Sequence, residues 1–127
     1  MKRKFWIDTD TASDDAVALI MAFMHPDIDV VGLSIVAGNV PLDMGVQNAL
    51  YTAELCQVTM PVYAGAAKPL SRELGTAQFV HGEDGMGDIG LPLSGRTPAT
   101  GNAVDKLIEA IHLRAGNIEL VTLGPLT

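Results

Sequence analysis

A chain of 127 residues and 13.4 kDa has the size of one domain or part of one. Its 48% apolar residues and mean hydropathy of +0.28 allow a buried core, which excludes the disordered and fibrous classes. Fifteen acidic residues against eight basic ones give a net charge of −7, which speaks against an electrostatic grip on nucleic acid or an anionic membrane. The single cysteine, Cys56, excludes an internal disulfide and fits a reducing compartment. Lys2, Arg3 and Lys4 could open a signal peptide, but Asp8 and Asp10 interrupt the apolar stretch behind them. The longest unbroken apolar run, Ala16 to Met24, is nine residues, short of a membrane span, so the expectation is a soluble, cytoplasmic protein.

In chain order, Lys4 to Asp8 is short, apolar and aromatic and predicts a buried strand. Asp14 to Met24 is apolar on most sides and predicts a buried helix, with Met21 and Met24 in the core, ended by His25-Pro26. Asp29 to Val36 is a β-branched run, the second strand. Pro41 to Gln57 follows as a helix with Leu42, Val46, Ala49, Leu50 and Ala53 on one stripe. Met60 to Ala64 predicts a third strand. Ala103 to Ala115 predicts a helix with Val104, Leu107, Ile108 and Ile111 on one face, stopped by Gly116, before a fourth strand from Ile118 to Leu123. Strand alternating with helix implies an α/β fold with an open, mainly parallel, Rossmann-like sheet and flanking helices. The exception is Gly65 to Thr100, a Gly-, Pro- and Ser-rich connection long enough to form a lid.

Chemistry concentrates where the first strand meets the first helix. Asp8, Asp10, Asp14 and Asp15 fall within eight residues, and no Lys or Arg occurs between Lys4 and Lys68. One reading is helix capping: Thr11 and Asp14 fit a capping box, and Asp14 and Asp15 favour the positive end of the helix dipole. That leaves Asp8 and Asp10, on the same side of an extended chain at the end of a buried strand, where unpaired charge is costly. A divalent cation would resolve the conflict, and hard oxygen ligands select Ca²⁺ or Mg²⁺. An EF-hand is excluded, because Ala12, Ser13 and Leu19 stand where that loop needs an oxygen ligand, Gly and Glu. A haloacid-dehalogenase-type phosphatase shares a strand followed by Asp-x-Asp, but Ala12 and the Asp14-Asp15 pair depart from its pattern.

The segment DTDTASDDAVAL, Asp8 to Leu19, resembles the DTDxxxDDxxAL signature of the inosine–uridine-preferring nucleoside hydrolases. Val36-Ala-Gly-Asn39-Val is similar to that family's Gly-Asn motif, Val80 to Asp88 (VHGEDGMGD) to its His-Gly-x-x-Gly-Met-Gly loop, and Leu123 to Thr127 to its Leu-Gly-Pro-Leu-Thr. The resemblance implies hydrolysis of the N-glycosidic bond of ribonucleosides with bound Ca²⁺. By it, Asp10 is metal ligand and general base, Asp15 and the Thr127 carbonyl complete this part of the metal shell, and Asp14 and Asn39 hold ribose hydroxyls. His81 contacts substrate from a mobile lid, and Asp8 orients the ligands or accepts a backbone donor. Glu83 and Asp84 read as solvated loop acids, and His25, Met21, Met24 and Cys56 as structural.

Thr11-Ala12-Ser13 replaces the Pro-Gly that family members often carry between the second and third acids. Family members also run to more than twice this length and hold a further metal-binding Asp and a neighbouring His downstream. Residues 1–127 therefore read as the amino-terminal part of a single hydrolase domain, inactive alone and homo-oligomeric when whole. Alternatives are the phosphatase and a non-catalytic metal- or ribose-binding fragment.

Overall fold

Short apolar and β-branched runs as strands and apolar stripes on the helices build one layered sheet in the computed structural model, which describes residues 1–127. The elements are β1 (Arg3–Thr9), α1 (Ser13–Met24), β2 (Ile28–Ile35), α2 (Leu42–Leu55), β3 (Val62–Ala64), α3 (Gln78–His81), α4 (Ala103–Leu113) and β4 (Glu119–Thr122). All pairings are parallel and the strand order is β3-β2-β1-β4. The chain steps outward from β1 to β2 to β3, then returns across the sheet to place β4 on the other side of β1. Loops leaving β1 and β4 thus part at their carboxyl ends, the crevice where open α/β sheets bind ligands.

The core lies between the sheet and the α1–α2 layer. Ile7, Leu33 and Ile35 from the strands meet Leu19 from α1 and Val46 and Ala49 from α2. On the opposite face Trp6 stacks on Tyr63 at 6.0 Å between ring centroids and donates its indole N–H to Ser34 Oγ at 3.0 Å. Helix α4 packs over β2 and β3 on this side, with Ala103, Val104 and Leu107 bordering the space beside Asp8 and Ser34. The reversal of chain direction requires this, since a right-handed crossover returning across the sheet lands on its other face.

Two expectations need correction, both in α1. The N-cap of α1 is Ala12, without a side-chain cap, because Thr11 turns its hydroxyl to Thr9 Oγ1 at 3.0 Å instead of capping the helix. Helix α1 is not buried all round: Met21 and Met24 project outward with Val17, while Leu19 and Ala22, with Phe23 partly buried, face the core. Helix α4 buries Ala103 and Ala110, while Val104, Ile108 and Ile111 of its apolar stripe stay about half exposed. The connection between β3 and α4 is also more ordered than a plain loop. It holds the single turn of α3 and is tied to the sheet by Ala37 N–H to the Ala66 carbonyl and Ala99 N–H to the Val62 carbonyl.

This packing sorts substitutions by position. Leu33→Ala, at a fully buried site, should lower stability by about 2–5 kcal/mol in urea unfolding, whereas Ile108→Ser on the open face of α4 should stay within about 0.5 kcal/mol.

Candidate active site

Strand β1 ends at Thr9, and Asp10 turns off the sheet into a nearly solvent-free position. Its Oδ2 accepts the Asn39 backbone N–H at 2.7 Å. Its Oδ1 is buried without any donor. Gly38 makes this possible: a Cβ there would stand 2.2 Å from Asp10 Oδ2, so the Gly-Asn motif leaves space for the carboxylate. The chain leaving β4 comes in from the other side, tied by Leu123 N–H to the Asp8 carbonyl, and Gly124 lies so close that a Cβ would be 3.0 Å from the Asp10 nitrogen. The segment ending in Thr127 is thereby brought to the carboxyl end of β1.

Asp15 enters from the first turn of α1 and is also buried. Thr9 donates its hydroxyl to Asp15 Oδ2 at 2.7 Å, and Asp10 is the carboxylate neighbour whose charge Asp15 feels. Burial is the main force holding the Asp15 carboxyl protonated, its pKa pushed up to about 7, with the Asp10 and Asp14 charges adding to it and the Thr9 hydrogen bond opposing. No Lys or Arg pairs with any of the four clustered acids.

The remaining sequence-derived residues divide. His81, at the end of α3, reaches the acidic loop: its Nδ1 lies 3.0 Å from Ser13 Oγ and 3.9 Å from Asp14 Oδ1. Asp14 is open to solvent beside it. Asn39 contributes its backbone N–H to Asp10 and accepts Ala77 N–H at its carbonyl, which ties the β2 end to the long connection. Asp8 goes elsewhere. Strand alternation sends it to the α4 face, where Ser34 donates to its Oδ1 at 2.5 Å, and no hydrogen bond joins it to Asp10 or Asp15. Burial raises its pKa against the Ser34 hydrogen bond.

The Gly-rich loop after α3 is closed on itself. Asp88 accepts the N–H groups of Glu83 and Asp84, and Asp84 Oδ1 accepts those of Met86 and Asp88, so Asp84 is a turn-builder where the sequence suggested a solvated acid. Those two backbone donors, Glu83 foremost after Asp84, hold the Asp88 carboxyl below its usual range. Three residues with a place in this site escaped the sequence reading. Thr9 was visible as the middle of Asp-Thr-Asp. Ser13 was visible only as a loop residue. Asn48, fully buried on α2, showed as a polar interruption of an apolar helix.

In kind, the donors suit a hard cation: two buried carboxylates, one with an orphaned oxygen. In number they fall short of the six to eight oxygens Ca²⁺ prefers, since no three His, Cys, Asp or Glu side chains converge.

The family model for inosine-uridine preferring nucleoside hydrolases matches residues 5–127. The chain belongs to this family. A pyrimidine-specific ribonucleoside hydrolase of Escherichia coli is 40% identical over 127 residues, covering 99% of this chain and 40% of the relative. A plant nucleoside hydrolase superposes with TM-score 0.93 at 39% identity, covering 100% of this chain and 41% of that one. A purine-preferring ribonucleoside hydrolase from Gardnerella vaginalis superposes with TM-score 0.91 at 30% identity, covering 98% and 41%. The chain thus spans about two-fifths of the length of the relatives it matches, and the open parallel sheet expected from its alternating strands and helices is theirs.

The Asp15 shift sets a pH dependence. Folded Asp15 holds its proton up to about pH 7, whereas the unfolded carboxyl releases it near the ordinary value of 3.8. The folded state binds more protons at Asp15 in between, so the contribution of Asp15 to stability is greatest in acid and falls as pH rises through that window. In chelator-treated protein the melting temperature should decline from about pH 5 to about pH 7.5, and Asp15→Asn should flatten the decline.

Proposed function

We propose that residues 1–127 supply the metal-binding and water-activating part of a ribonucleoside N-glycosidase. The observation that carries the reading is the buried pair Asp10 and Asp15, with Asp10 Oδ1 lacking a donor and no cation nearby, at the carboxyl end of β1. Family membership supports hydrolysis of nucleosides over the phosphatase alternative.

Asp10 and Asp15, with the Thr127 carbonyl, would hold a divalent cation, Ca²⁺ by the oxygen character of the donors. When bound, the ion lowers the pKa of a coordinated water and stabilises the charge that develops on it. Asp10 takes the proton of the water that attacks C1′ of the ribose, and the C1′–N bond breaks with its electron pair leaving on the base. Asp10 suits this task because Asn39 N–H fixes one oxygen and leaves the other free. Asp14 and the Asn39 side chain would hold ribose hydroxyls, which favours an oxocarbenium-like sugar. His81, held beside Ser13 and Asp14 at the end of α3, would face the sugar. Asp8 acts at a distance by fixing Ser34 and Trp6 beneath the site.

Pyrimidine and purine nucleosides are both acted on by relatives according to their names, so the base is left to the assay. The test is a chimera in which residues 1–127 replace the matching segment of the Escherichia coli pyrimidine-specific relative. It should release free base and ribose from uridine or inosine, and Asp10→Ala in the chimera should cost roughly 10²–10⁴ in rate with the fold retained by circular dichroism. A folded Asp10→Ala chimera with unchanged turnover would refute the role of Asp10. Phosphate release from a phosphomonoester without base release would favour the phosphatase.

A further inference from the structure

The loop carrying Asp10 and the loop carrying His81 lie far apart in sequence, and one buried side chain touches both. Asn48, on α2, spends its two amide protons on backbone carbonyls: one to Thr11 at 3.0 Å, inside the acidic loop, the other to Asp84 at 3.1 Å, inside the Gly-rich loop. The two donations fix the amide's orientation, because a flipped amide would set its oxygen against two carbonyls. Its Oδ1 is then buried without a donor. A residue kept for packing alone would have no reason to carry that unpaired oxygen in a helix whose neighbours Val46 and Ala49 are apolar. The Gly-rich loop is shaped to receive it. Gly85 sits at φ +75°, and a Cβ there would fall 2.6 Å from Val40 Cγ1 and 3.1 Å from Asn48 Nδ2, so the loop backbone docks directly on Val40 and the amide.

We propose that Asn48 is a positioning residue whose amide fastens the Gly-rich loop to the acidic loop, holding His81 against Ser13 before any ligand arrives. The loop is thereby a docked wall of the site, not a free lid, and Asn48 acts through Thr11 and Asp84 without touching substrate. That the two loops frame a catalytic site rests on the proposed function; that Asn48 couples them does not.

The experiment reads the coupling in the 127-residue chain without nucleoside or metal, so its outcome is independent of whether the protein hydrolyses nucleosides. Asn48→Leu removes both donors at similar volume. Thr52→Ala is the control: Thr52 is one turn on and equally buried, and donates to the Asn48 carbonyl but to neither loop. In Asn48→Leu, amide exchange at Gly85 and Gly87 should accelerate about tenfold or more relative to the α2 amides, and the nuclear Overhauser contact between the His81 ring and the Ser13 methylene should vanish. Thr52→Ala should leave both unchanged. If Asn48→Leu fails to fold, Gly85→Ala attacks the same docking from the loop side and should show the same two changes. A folded Asn48→Leu with wild-type exchange and contact would overturn the proposal. So would an unaltered loop in Gly85→Ala after a failed Asn48→Leu, or equal loosening in Thr52→Ala.

Discussion

Two carboxylates held side by side, away from water and without a cation, are the constraint around which the rest of the site is arranged. Asp10 and Asp15 come from different elements, a strand end and a helix start, and each is met by a dedicated partner: Asn39 N–H for one, the Thr9 hydroxyl for the other. Neither partner neutralises charge. Burial, with the Asp10 and Asp14 charges adding to it, instead holds the proton on the Asp15 carboxyl to near neutrality. Burial of this kind costs stability in an isolated fold. The expense is intelligible if a divalent cation is the missing partner, which is the proposal made for this protein.

The fold brings the pair together by topology. Strand order β3-β2-β1-β4 splits the loops at the end of β1, so Asp10, the Gly38-Asn39 turn after β2 and the Gly124 turn after β4 converge at one edge of the sheet. Glycine at 38 leaves room for the Asp10 carboxylate, and glycine at 124 lets the chain after β4 come up against the Asp10 backbone. The opposite face is less finished: β4 is an edge strand, and part of the apolar stripe of α4 is open to solvent.

Much of this was legible in the sequence, for physical reasons. Short apolar, aromatic and β-branched runs located the strands, helical apolar stripes located the long helices, and a charge cluster without cations located the site. The failures are equally physical. Periodicity reports that α1 is apolar but not which of its sides has a neighbour, so Met21 and Met24 were assigned to the core wrongly. A capping box was readable at Thr11, but the Thr9 hydroxyl two residues earlier took its hydroxyl instead. Hydrogen bonds between residues distant in sequence leave no local pattern, which hid the Asn48 bridge and the Ser34 bond to Asp8, while the local backbone contacts of Asp84 and Asp88 sit in a loop that composition alone reads as loose.

The central claim is that Asp10 and Asp15 together bind a divalent cation. Calorimetric titration of the chain with Ca²⁺ at about pH 7.5, where Asp15 is largely ionised, tests it most directly. The account predicts saturable binding of one equivalent, accompanied by proton release that varies with buffer, and weakened at least about tenfold by Asp10→Asn. Heats no greater than dilution for the wild type, or the same affinity in Asp10→Asn, would contradict it.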